Sequence, residues 1–370
     1  MNQSPAFGIV GGYGATGRVV VSELRKSCDG EILVGGRDLV KANALAAEFD
    51  GRVAPAQLDV LDATSLDEFC SRCTIIVNCA GPVMQLQDRV AQAALRRRCH
   101  YVDPAGLTLV KERMLLHNQE IAGLGLSFVV SAGWLPGVTE IVPLYANAQA
   151  RTKMESVESL TVYFGDAGEW STNAFKDAVW YVHHSGIHSP WYFRKGERVS
   201  VRKAAPFPKI YLGGRLGAPR FSMYPLPEQN EIGRRLKDCD FTAWQYLPSF
   251  RTVMAGALIA MFPLPEELGI RLLRNAFRRS HLPVGGFVVA EVRGHAQGRS
   301  VSLRAEVVFE KGRDYWINGL ALATTARMVS EGKSIKPGVN FLGDAVDPVA
   351  FVAELRKGGV EVVEALEPCQ

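Results

Sequence analysis

Seven residues near the amino end, Gly11-Gly12-Tyr13-Gly14-Ala15-Thr16-Gly17, have the types and spacing to hold a pyrophosphate against bare backbone. Gly12 permits a tight turn, Gly14 lets the main chain approach a phosphate, and Gly17 lets a helix pack close to the strand before it. The apolar run Phe7-Gly8-Ile9-Val10 ahead of them reads as a strand, and Arg18 to Leu24 behind them as a helix. The start of that helix offers N–H groups and a partial positive charge to an anion. Strand, glycine turn and helix in this order predict a dinucleotide site.

The tip of the second strand indicates which dinucleotide. Enzymes that use NAD place a carboxylate there to accept hydrogen bonds from the ribose 2′-OH. Here the tip reads Gly35-Gly36-Arg37-Asp38, so Gly36 stands in the acidic place and Arg37 follows it. A guanidinium offers a rigid fork of donors suited to a 2′-phosphate. NADP(H) is the expected cofactor, with Lys41 assisting from the first turn of the next helix. The competing reading has Asp38 on the ribose and Arg37 as a surface cation. Asp59, after the third strand, suits the adenine amino group.

These residues need a frame. The first 135 residues alternate strand and helix with short connections, the pattern of a Rossmann-type, doubly wound parallel sheet. Strands are expected at 7–10, 31–34, 53–58, 74–78, 100–103 and 127–130. After about residue 150 the pattern changes to a second, α+β domain with a largely antiparallel sheet. A strand is expected at 157–164, a hairpin over 286–310 turning at Gln297-Gly298, and a helix over 266–279. The expected division is 1–135, 136–335, and a C-terminal segment 336–370 packing back on the first domain.

Composition narrows the classes. There are 42 Lys and Arg against 38 Asp and Glu, a net charge of +4, and 47% of residues are hydrophobic. Arg96-Arg97-Arg98, Arg234-Arg235 and the arginines at 271, 274, 278 and 279 lack the stacking aromatics of a nucleic-acid site, so no nucleic acid is expected. No run of about eighteen apolar residues is present, so neither a spanning helix nor a membrane partner is expected. The first residues lack a secretory pattern, which makes the cytoplasm the expected location. Seven cysteines in irregular spacing do not form a disulfide framework, and Cys70-Ser71-Arg72-Cys73 has no second pair to complete a zinc site.

With these segments in place, the chain resembles the saccharopine dehydrogenase-like oxidoreductases. The resemblance rests on Gly11 to Gly17, Leu33-Val34-Gly35-Gly36-Arg37, Asn78-Cys79-Ala80-Gly81-Pro82, His100 to Gly106, and Gly133-Trp134-Leu135-Pro136-Gly137. It is specific over 7–140 and thin over 150–335. It implies NADP(H), a homodimer, and hydride transfer that makes or breaks C–N bonds or reduces C=C bonds. Leu135 stands where opine-forming members often carry an acid. Trp134 and Leu135 therefore suggest a more apolar pocket mouth and a less charged substrate. A likeness in length and layout extends to thiazoline (cyclic imine) reductases of siderophore assembly, whose substrate rides on an acidic carrier protein that the arginine clusters could meet. The alternatives are an opine or saccharopine-type amino-acid dehydrogenase, an enoyl reductase, and a non-catalytic NADP sensor.

Reduction of C=N consumes a proton at nitrogen as well as a hydride at carbon, so a general acid is expected. Strand ends place Ala80, Gly81, Pro82, Tyr101 and Asp103 near the nicotinamide. Tyr101, Asp103, His183 and His184 are the catalytic candidates, with His188 and Lys176 in reserve. Each has a plainer reading: Tyr101 as packing, Asp103 as a cap for the backbone of Ala105 and Gly106, the histidines as a polar stretch on aromatics. Hydride transfer needs no metal, and none is expected.

Overall fold

The computed structural model describes residues 6–49, 51–167, 170–185, 190–201, 207–278, 280–333 and 335–369. They divide into two units, Met1–Val138 with Tyr315–Gly359, and Thr139–Asp314 with Val360–Gln370. The first unit contains β1 (Ala6–Val10), β2 (Glu31–Gly36), β3 (Val53–Gln57), β4 (Ile75–Asn78), β5 (His100–Val102) and β6 (Ser127–Val130). The second contains β7 (Ser156–Asp166), β8 (Trp191–Arg194), β9 (Glu197–Ser200), β10 (Phe221–Met223), β11 (Asp240–Tyr246), β12 (Gly286–Ala296) and β13 (Arg299–Phe309). The chain then adds β14 (Gly338–Phe341) to the first unit and β15 (Val363–Pro368) to the second.

In the first unit seven strands pair in parallel in the order β14-β6-β5-β4-β1-β2-β3. Ile75 to Asn78 and Ser127 to Val130 are buried at every position. That is why these strands read as continuous apolar runs: helices cover both faces of a parallel sheet. The helices start on local signals. Asp38 caps Leu39–Ala46 by accepting from the Lys41 amide, and Asp62 caps Ala63–Ser71 through the amides of Thr64 and Ser65. Between β5 and β6 the chain forms two helices, Leu107–Leu115 and Asn118–Gly123.

The second unit carries an eight-stranded sheet in the order β15-β13-β12-β7-β11-β8-β9, with β10 paired to β11. It is mostly antiparallel, with β7 and β11 parallel. Its longest hairpin, β12–β13, turns at Gln297 and Gly298, both at positive φ (51° and 66°), the geometry a two-residue hairpin turn requires. Three helices, Thr172–Ser185, Phe250–Met261 and Glu266–Phe277, pack around Phe175, Ala255, Ile259, Ile270 and Leu273.

Two boundaries differ from expectation: the first unit resumes at Tyr315, well before residue 336, and the last residues do not belong to it. β14 and the helix Pro348–Lys357 lie in the first unit, but β15 does not return there. It pairs antiparallel with β13, from Val301 opposite Pro368 to Glu306 opposite Val363. A short, mostly exposed strand carries nothing in its own sequence to say which of two sheets it joins.

Candidate cofactor site

Strand order reverses between β1 and β4, which are adjacent in register from Phe7 opposite Ile75 to Val10 opposite Asn78. Ligands of doubly wound sheets bind beyond the carboxyl ends of the strands at this point. The glycine segment lies there. The amides of Gly11 and Gly12 both donate to the Gly35 carbonyl, at 2.8 and 3.2 Å, which ties the turn to the end of β2. The helix Ala15–Ser27 then begins at Gly14, with no side-chain cap and no acidic residue in its first turn. Its leading N–H groups have no intrahelical acceptors, so this end suits a pyrophosphate. A Cβ on Gly17 would fall 2.4 Å from the Gly11 carbonyl oxygen and 2.7 Å from the Gly12 Cα, so glycine alone permits the approach of helix to turn.

At the tip of β2 the structure adds what the sequence did not reveal. The Tyr13 ring lies against Gly36, where a Cβ would fall 2.3 Å from the ring edge. The Tyr13 hydroxyl accepts from the Asp38 amide at 3.1 Å. Tyr13 thus fills the space into which a carboxylate at position 36 would extend. Asp38 is engaged as a cap, and its carboxylate lies 3.4 Å from Lys41 Nζ. The Lys41 amide bond, then the Lys41 charge, holds the Asp38 carboxyl below its usual range. Arg37 is exposed and makes no ion pair among the described residues. Asp59 is also exposed, and its carboxylate accepts from the Leu61 amide at 2.9 Å.

The remaining strand ends form a connected polar layer. Asn78 donates through Nδ2 to the Tyr101 hydroxyl at 3.3 Å and accepts from the Ala80 amide at 3.1 Å, which fixes the start of Ala80-Gly81-Pro82. The Gly81–Pro82 peptide is cis. Tyr101 is fully buried and its ring packs on Phe128 at 5.5 Å. Burial, followed by the nearby Asp103 charge, pushes its phenol well above the ordinary range. Asp103 is 2% exposed. Its Oδ1 accepts from the amides of Ala105, Gly106 and Ser131, while Oδ2 accepts no hydrogen bond among the described residues. Burial raises its carboxyl to about 6, against the opposing pull of those amides. Ser131 is buried at φ +64° and is held there from both sides, by Asp103 and by the Leu107 amide, which donates to Ser131 Oγ at 2.9 Å.

Sequence reasoning missed Asn318. On the helix Asp314–Ser330, it accepts from the Trp134 amide at 2.8 Å and donates to Thr16 Oγ1 at 3.1 Å. It thereby joins the phosphate-facing helix to the Gly133–Gly137 turn. Trp134 is 3% exposed, so its ring points into the fold and does not form the apolar mouth expected of it.

The histidine candidates lie on the helix Thr172–Ser185 of the second unit. His183 Nδ1 lies 3.1 Å from the Ile259 carbonyl. His184 stacks on Trp180 at 4.2 Å, and its Nδ1 lies 2.8 Å from the Trp180 carbonyl. Both rings are exposed. His188 lies outside the described residues. Lys176 pairs with Glu266 at 3.1 Å. The arginine clusters are partly paired as well: Arg96 and Arg97 with Asp67, Arg234 with Glu231. Cys70 and Cys73 are buried, and burial pushes the Cys73 thiol up to about 12.

Comparison with known proteins identifies this architecture. Residues 7–126 match the family described as Saccharopine dehydrogenase NADP binding domain. The first unit is thus similar, over those residues, to an NADP-binding oxidoreductase domain. Two similar curated proteins, from Homo sapiens and Rattus norvegicus, are each named saccharopine dehydrogenase-like oxidoreductase. The human one is 26% identical over 156 residues, 41% of this chain and 35% of that protein. The rat one is 26% identical over 150 residues, 40% and 34% respectively. The match thus spans about a third of the length of these relatives. Among solved structures, apo saccharopine dehydrogenase (L-Glu forming) from Saccharomyces cerevisiae covers 98% of this chain and 99% of its own, with a TM-score of 0.64 at 16% identity. A probable dehydrogenase from Thermotoga maritima covers 97% and 98%, with a TM-score of 0.50 at 9% identity. At these identities the likeness is one of fold, and it extends through the second unit.

Proposed function

We propose that this chain is an NADPH-dependent reductase of a C=N bond in a small-molecule substrate. The observation that carries the reading is the tip of β2, where Tyr13 fills the carboxylate position against Gly36 and Arg37 stands exposed beside it. That arrangement favours a 2′-phosphate over a bare ribose hydroxyl. Bound NADPH would supply the hydride.

The chain's own residues have to orient the cofactor and hold a proton. The Gly11–Gly17 turn presents amides to the pyrophosphate, and Asn78 sets the backbone of Ala80 and Gly81 on the nicotinamide side. Asp103 is the proton-holding group. A carboxyl raised to about 6 holds a proton in about a tenth of molecules at pH 7, against far fewer for an ordinary carboxyl, and Oδ2 is the oxygen that would carry it. Tyr101 lies beside that carboxyl, and Asn78 holds the Tyr101 hydroxyl.

The C=N assignment draws support from the saccharopine dehydrogenase name shared by the family match and the yeast structure. A thiazoline or other cyclic imine is the finer member of this proposal. Its argument from an apolar mouth now rests on half-buried Leu135 without Trp134. The test follows NADPH oxidation at 340 nm with a thiazoline thioester mimic, a keto acid plus amino acid, and an enoyl thioester. Turnover of either nitrogen-containing substrate supports C=N reduction and separates its cyclic and opine forms. Activity on the enoyl thioester alone transfers the site to C=C reduction. Tight NADPH binding with no turnover at all makes the chain a sensor.

A further inference from the structure

The helix Phe250–Met261 in the second unit contains one charged residue, Arg251, among twelve. Its inner side contributes Ala255 and Ile259 to the three-helix core. Its outer side does not behave as the outside of a soluble helix. Phe250 is 65% exposed, Met254 48%, Leu258 37%, Met261 59%, and Phe262, just past the end, 50%. At 100° per residue these side chains, spaced at four and then three, form one contiguous stripe. Scattered exposed apolar residues are ordinary, but four on one helix face with a fifth just beyond it mark a surface that meets something.

Charge indicates what it meets. Arg251 falls within the same angular sector as the stripe. On the neighbouring helix Glu266–Phe277, Leu268, Arg271 and Asn275 share an exposed face that continues into Arg278. Arg251, Arg271 and Arg278 are exposed and make no ion pairs among the described residues. The acids of that helix are in its first turn, where Glu266 is paired with Lys176 and Glu267 is exposed, so three exposed arginines stand against one exposed acid. Large apolar side chains with an arginine among them, beside a helix whose exposed face is net basic, are the composition of a surface that lies in a membrane interface, where phosphates neutralise the cations and the acyl boundary takes the apolar face.

We propose that the Phe250–Met261 face is a docking surface for an anionic lipid bilayer, on which the protein lies peripherally. The lack of a spanning helix, from which no membrane partner was expected, does not bear on this, because an interfacial helix needs a face and not a length. The reading is independent of the reaction proposed above.

The test is co-flotation of the full chain with vesicles of phosphatidylcholine alone and of phosphatidylcholine mixed equally with phosphatidylglycerol. The expected result is binding to the mixed vesicles that weakens with salt and is far weaker on phosphatidylcholine. Phe250→Ser with Met254→Ser and Phe262→Ser should abolish flotation, while the melting temperature and NADPH affinity stay unchanged because these side chains are on the outside. Arg251→Glu with Arg271→Glu should weaken binding to the mixed vesicles by about fivefold or more per residue. No flotation, equal flotation on the two compositions, or flotation that survives the triple substitution overturns the proposal. So does light scattering that shows a dimer which the triple substitution splits, since the face would then belong to a second copy.

Discussion

The contact between Tyr13 and Gly36 makes a prediction that runs against the usual way of exchanging cofactors. Placing an acid at the tip of β2 is the direct route from NADP to NAD. Here Gly36→Asp should fail by itself, because its Cβ would meet the Tyr13 ring at 2.3 and 2.7 Å and its hydroxyl oxygen at 2.8 Å. Those atoms belong to an aromatic ring held by the Asp38 amide, not to the free end of a flexible chain. Overpacking of this kind costs about 1–3 kcal/mol, which for a unit of this size lowers Tm by roughly 2–12 °C. Tyr13→Ala loses the bond from the Asp38 amide, worth about 0.5–1.5 kcal/mol. The double substitution should nevertheless be more stable than the sum of the two, by a coupling of at least about 1 kcal/mol. Urea denaturation of the four proteins measures the coupling, and NADPH and NADH titrations of the same set follow specificity. The double variant should bind NADH about tenfold better than Gly36→Asp does, through one recovered charge-assisted bond. Additive stabilities, or a Gly36→Asp protein as stable as the parent, would refute the claim that Tyr13 occupies this space.

Other consequences can be checked separately. Arg37→Asp should weaken NADPH by roughly 10- to 100-fold, the worth of a charge-assisted contact, and NADH much less; equal losses in fluorescence titration would remove Arg37 from the site. Asn318→Ala deletes both bonds that join Thr16 to Trp134 and should cost about 1–3 kcal/mol, read by urea midpoint and by faster amide exchange across Gly133–Gly137. The folded pKa of Asp103, about 6, lies above the unfolded carboxylate value, so the native state binds the proton more tightly. Stability from this group is therefore greatest below about pH 4 and declines as pH rises towards 6, by about 2–3 kcal/mol; Asp103→Asn should flatten that slope in pH-dependent denaturation. The same substitution should reduce kcat by about 10²-fold or more while leaving NADPH affinity in place, and an unchanged kcat would remove Asp103 as the proton holder.

The cofactor cradle was readable because its signal is local. Gly12, Gly14 and Gly17 lie within six residues, between a strand and a helix that each announce themselves by apolar period. Arg37 was readable for the same reason, as the residue beyond an apolar strand. Tyr13 was named as part of the cradle, but its role was not visible, because the contact with Gly36 joins the turn after β1 to the last residue of β2. Asn318 left no trace, since it lies 302 residues from its Thr16 partner. Asp103 carried both of its readings in the sequence, and the amides of Ala105 and Gly106 do bond to it, with Ser131 as an unforeseen third donor. The helix Phe250–Met261 escaped notice because an almost uncharged run without alternation has no polar face to set its period.

The first unit is discontinuous in the chain, and this has a consequence for its biosynthesis. Six of its seven strands, and the whole glycine turn, leave the ribosome before residue 138. The seventh strand, and the helix that brings Asn318 to Thr16, follow only after residues 139–314 have been made, a delay of roughly 10–35 s at ordinary translation speeds. Throughout that interval β6 is an open edge, its backbone groups waiting for Gly338–Phe341. The nascent chain thus carries a cradle with the right residues and an unfinished wall, and its dependence on chaperones should be concentrated in that window.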